Sequence, residues 1–84
     1  MAYQTSAVVI GNDWTKVVDG IALIQFNDKM YMALTGGGLP TETIGFSVKS
    51  GEKYINNSDA VTVWARRINS GDNVVSALVA KDVV

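Results

Sequence analysis

The sequence predicts an all-β fold, a small β-sandwich or barrel of about seven to eight short antiparallel strands joined in a Greek-key or jelly-roll-like order, as one domain over residues 1–84. Three observations carry this. Runs of four to eight residues are rich in Val, Ile, Thr and aromatic side chains; clusters of Gly, Asn, Asp and Ser separate them at intervals of roughly eight to twelve residues. No segment of ten or more residues holds a 3.6-residue apolar period, so helix content is expected near nil.

The chain is organised around 60–68 (AVTVWARRI), which has no Gly or Pro and turn-like clusters on both sides, and reads as a central strand. Val61, Val63 and Ala65 share one face; Thr62, Trp64, Arg66 and Ile68 share the other, and Trp64 and Ile68 make that second face too apolar for open water. A strand with apolar groups on both sides needs something on both sides.

In chain order, Tyr3 to Ile10 reads as a first strand closed by Gly11-Asn12-Asp13, and Trp14 to Val18 as a second that ends at the turn dipeptide Asp19-Gly20. Ile21 to Phe26 and Met30 to Thr35, apolar on both faces, read as a hairpin closed around Asn27-Asp28-Lys29. Gly36 to Pro40 has the composition of a plain connection, since no helix start and no Lys-Ser/Thr pair follows the glycines to make a phosphate cradle. Ile44 to Ser50 and Glu52 to Asn56 read as a second hairpin about Ser50-Gly51, and a turn over Asn69 to Asp72 leads into a last strand, Asn73 to Ala80, with Val75, Ala77 and Val79 on one face.

Composition narrows the function classes. There is no Cys and no His, which removes disulfides, thiolate sites, the commonest metal ligand and the commonest general base together. Seven basic and eight acidic residues give a net charge of −1 with no basic stripe, so nucleic acid and anionic membrane surfaces are not expected partners. No apolar run reaches the length of a membrane helix, and the N-terminus lacks the pattern of a signal peptide. Asp13, Asp19, Asp28, Asp59 and Asp72 fall in predicted turns, where backbone hydrogen bonding accounts for them without catalysis; no enzyme, no cofactor and no metal site is expected. A calcium loop over Asn69 to Asn73 lacks the bidentate Glu it needs. With 48% hydrophobic and only 18% charged residues, so small a chain has too little charge to cover its surface, and association of copies resolves this.

The residues expected at such an interface are Tyr3, Trp14, Met30, Met32, Trp64 and Arg66. Trp64 is expected in the core or a subunit contact, with Arg66 and Arg67 paired to carboxylates such as Asp59, Glu52 or Asp72. An alternative gives Trp64, Tyr54 or Trp14 to a carbohydrate.

The phrases at 14–18 (WTKVV), 24–34 (IQFNDKMYMAL), the Gly-rich loop ending in Leu39-Pro40, 45–52 (GFSVKSGE) and 61–66 (VTVWAR) together resemble small virion proteins of tailed bacteriophages. That resemblance implies a compact β-sandwich on the particle, as a head-decoration or cement protein or a head-fibre or tail accessory, assembled as a homotrimer and bound to the major capsid protein or another virion protein. It supplies no catalytic residues.

Overall fold

The structure, a computed structural model, describes residues 3–68 and 74–82. It is all-β, with eight strands: β1 (Tyr3–Val9), β2 (Thr15–Asp19), β3 (Ala22–Phe26), β4 (Met30–Thr35), β5 (Phe46–Val48), β6 (Lys53–Asn56), β7 (Thr62–Arg67) and β8 (Ser76–Asp82). No helix occurs among the described residues. The strands form two antiparallel four-stranded sheets, ordered β1-β8-β3-β6 and β2-β7-β4-β5. Each consecutive pair except β4 and β5 is split between the sheets, the order of an eight-stranded jelly roll.

This topology corrects both expected hairpins. The chain reverses after β3 and after β5 as the turn residues demand, but β4 does not pair with β3, nor β6 with β5. The reason lies in the ladder. β3 has β8 along one edge and β6 along the other, and at its end the Phe26 carbonyl accepts from Gly51 N–H at 2.7 Å and Asn27 N–H donates to the Ser76 carbonyl at 3.1 Å, so no edge is left for β4. Crossing to the other sheet instead sets the apolar sides of the two strands against one another: Ala22, Ile24 and Phe26 from β3, Met30 and Met32 from β4, all buried in one cluster.

β7 is interior to its sheet, as expected, between β2 and β4. Val63 and Ala65 enter the core; β2 meets them with Val17 and Val18, both buried because a bulge between Lys16 and Val18 inserts one residue into the alternation. Val75, Ala77 and Val79 close the core from the β8 side, on the face the sequence assigned them. The turn expected over Asn69 to Asp72, and with it the calcium loop considered at Asn69 to Asn73, lies outside the described residues.

One polar side chain ties the ends of the layers together. Asn56, at the end of β6, is buried and its Nδ2 donates to the carbonyls of Gly20 (2.6 Å), Val61 (3.2 Å) and Ser58 (3.3 Å), while Gly20 N–H donates to the Val61 carbonyl at 2.9 Å. Asn56 therefore joins the β2–β3 turn to the entry of β7. Gly20 itself has φ +81°, a backbone conformation a side chain would strain.

Candidate interaction surface

Each sheet has an outer face, and the two faces are treated differently. On the β2-β7-β4-β5 sheet the register aligns Lys16, Trp64 and Ala33 across three strands, with Thr62 and Thr35 paired beside them. Trp64 is only 7% exposed, yet it points away from the core cluster; its Nε1–H donates to Thr35 Oγ1 at 2.9 Å. The chain itself covers it. The segment leaving β4 at Thr35 is fastened at its far end, where Trp14 Nε1–H donates to the Glu42 carbonyl at 2.7 Å and Arg66 Nη1 to the Thr43 carbonyl at 3.1 Å. The Arg66 guanidinium also lies 5.8 Å from the centroid of the Trp14 ring, within cation–π range. At Gly45 the backbone comes so close that a Cβ would run into the Met32 carbonyl and the Trp14 ring.

The connection expected as Gly36 to Pro40 is thus the first part of a longer strap. Gly36, Gly37 and Gly38 have open space around them, whereas Glu42 to Gly45 is held down. Its apolar side chains Leu39, Ile44 and Phe46 stay exposed, rimming with Trp14 and Pro40 a shallow cleft of about 600 Å³.

Neither Asp59 nor Glu52 is shown paired with an arginine among the described residues. Arg66 meets a carbonyl and a ring; Glu52 Oε1 accepts from the Lys49 N–H instead, Asp59 lies against Gly20, and Asp72 is outside the described residues. The Nε atoms of Arg66 and Arg67 are buried without a hydrogen bond among the described residues. Lys16 and Asp19 form an ion pair at 3.0 Å, both side chains about half exposed. Asp19 also accepts from the Thr62 hydroxyl at 2.7 Å; that bond first, and Lys16 second, hold its carboxyl below its ordinary value.

No such strap lies over the β1-β8-β3-β6 sheet among the described residues. By register its outer face presents Tyr3 and Val9 from β1, Leu78 and Ala80 from β8, Leu23 from β3 and Ile55 from β6. Tyr3 is 71% exposed, Ile55 61% and Leu23 43%. Ile21, just before β3, extends the same row. Polar side chains share this face: Gln25 stands between Leu78 and Lys53, Thr5 is opposite Ala80, Ser76 is opposite Val9, and Asp82 is opposite Tyr3. Ile55, Leu23 and Ala80 stand in line across three strands with Leu78 diagonal to Leu23, so these apolar side chains are clustered and not scattered singly, the pattern typical of a contact surface.

Of the six residues expected at an interface, Tyr3 alone stands on this open face. Met30 and Met32 are core residues, and Trp64 is covered by its own chain; Trp14 and Arg66 are occupied in holding the strap. Burial of Trp64 and the packing of Tyr54 against the core leave neither ring presented to a sugar. Leu23, Leu78 and Ile55, exposed on this face, were not among the six, although the two-sided apolarity of 21–26 and 73–80 was the signal that would have found two of them.

No family model matches the chain, and no curated protein or solved structure is matched by it.

Proposed function

We propose that this chain is a structural building block of a bacteriophage virion, a capsid decoration or cement protein that works as a homo-oligomer on the head surface, with the major capsid protein or another virion protein as its second partner. The observation that carries this reading is the uncovered apolar face formed by Tyr3, Leu23, Ile55 and Leu78 on a sheet whose other side already fills the core. At about 25 cal/mol per Å² of apolar area, covering a standard patch of about 800 Å² per partner supplies enough to hold small domains together after the costs of association. The eight-stranded jelly-roll order is in keeping with the reading as an analogy of fold, since capsid and lectin domains use it, and carries no function by itself. A tail or fibre accessory with the same surface is the neighbouring possibility within this class. Several weak contacts suffice on a particle, because linked copies bind at high effective concentration; the homotrimer implied by the sequence resemblance is one such arrangement.

The test is electron cryomicroscopy of particles assembled with and without this chain, and with a Leu23→Lys, Ile55→Lys double variant. The reading expects extra density on the head with the natural chain and none with the double variant, whose fold is retained because both side chains are exposed. Equal occupancy by the two would contradict it.

A further inference from the structure

The sandwich has four edge strands, and three carry features that block edge-to-edge pairing. β5 has three residues; β6 has four, one of them Lys53; β2 is broken by its bulge and carries Lys16 and Asp19. β1 has none of these. It is seven residues long, Tyr3–Val9, without charge, proline or bulge, and it pairs residue for residue with β8 along one side only among the described strands. Six of its seven residues are exposed, on both faces of the ribbon.

We infer that β1 pairs with β1 of a second copy of this chain, antiparallel and about a two-fold axis through Ser6, so that the β1-β8-β3-β6 sheets of two copies become one continuous sheet. The inference rests on the building-block reading and names the partner of one surface. Register follows from symmetry. A two-fold axis perpendicular to the sheet pairs only residues of the same face, so it passes through a residue and not between two. Centring on Ser6 pairs all seven residues, with Thr5 opposite Ala7 and Tyr3 opposite Val9 of the second copy. The last pair covers two of the most exposed apolar side chains of the molecule with each other, an aromatic against a β-branched residue. Absence of charge means that the strand does not repel its own copy. The same pairing joins the two apolar outer faces into one broader field; the two-fold contact by itself makes a dimer, and a trimer assembled through another surface would be doubled by it into a hexamer.

The chain has no cysteine, so a single Ser6→Cys substitution reads the contact without ambiguity. Directly opposed residues have Cα atoms about 4.5–5.5 Å apart, within disulfide reach, whereas the two copies of residue 5 in this register are offset by two positions and lie beyond about 7 Å. Expected under mild oxidation is a reducible dimer from Ser6→Cys and little from Thr5→Cys, with an equimolar mixture of Thr5→Cys and Ala7→Cys cross-linking again. By sedimentation, Ser6→Lys should weaken self-association at least tenfold, and mixing it with Ser6→Glu should restore it. The pairing is overturned if Thr5→Cys cross-links as readily as Ser6→Cys, or if Ser6→Lys associates like the natural chain. Association that survives Ser6→Lys but is lost in Leu23→Lys, Ile55→Lys removes the edge contact alone and leaves the building-block reading standing.

Discussion

The outer faces of the two sheets start from similar material and end differently. Both carry large apolar side chains, Trp64 on one and Leu23, Ile55 and Tyr3 on the other, yet Trp64 is buried within its own chain on a face where Glu42 and Thr43 are fastened to Trp14 and Arg66, whereas the second set is exposed among the described residues. The difference is a matter of chain: the β4–β5 connection joins adjacent strands of one sheet and is long enough to cross back over it, while the turns after β2, β3 and β5 are spent passing between sheets. Where a fold supplies its own cover, two-sided apolarity stabilises the single chain. Where it does not, the same pattern is left for a neighbour.

The largest effect that sharpens this contrast is expected at the covered face. Trp64→Ala should cost about 3–5 kcal/mol in urea unfolding, as for other buried aromatic truncations, whereas Leu23→Ala on the bare face should leave the stability of the dissociated chain within about 0.5 kcal/mol. Equal costs would erase the distinction between the faces. Next is Gly45→Ala, expected to lose about 1–3 kcal/mol because the new methyl group meets backbone at Met32 and the Trp14 ring; hydrogen exchange should quicken over 42–46 and remain unchanged in β8. Trp14→Phe keeps a ring for Arg66 but loses the donor to Glu42, and should cost about 1 kcal/mol with loosening of the same segment.

How much of this was legible depends on which physical question the sequence answers. Strand positions follow from β-branched composition and alternation, and all eight were placed; β7 as an interior strand and the inward set Val75, Ala77 and Val79 followed from the same pattern. Pairing was not legible. Asn27-Asp28-Lys29 and Ser50-Gly51 specify that the chain turns back, but whether the returning strand joins the same sheet is decided by which ladder edges distant strands have already taken. Asn56 was hidden for a similar reason. It stands beside Asn57, Ser58 and Asp59 and looks like one more turn residue, and only the fold shows its amide binding three carbonyls. The docking of 42–45 against Trp14, Arg66 and Met32 was invisible because nothing in a run of three glycines tells where the following residues dock.

The smallest expected effect concerns the edge of the covered face, at Asp19. Its carboxyl lies below its ordinary value in the folded chain, so its ionised form contributes stability above the unfolded value, and that contribution is lost as pH falls through the folded value. Thr62→Val removes the leading cause and should move the Asp19 titration upward toward 3.8, read by carboxyl carbon shifts in NMR, with the acid limb of unfolding beginning at slightly higher pH. A titration left in place by Thr62→Val would mean that Lys16 and Lys81, and not the hydroxyl, set it.

The central claim is that the bare face is covered by association, and sedimentation velocity of the full chain from low to high micromolar concentration tests it most directly. The account predicts a defined, concentration-dependent oligomer for the natural chain and a folded monomer for Leu23→Lys, Ile55→Lys. A natural chain that sediments as a monomer throughout, indistinguishable from that variant, would contradict it.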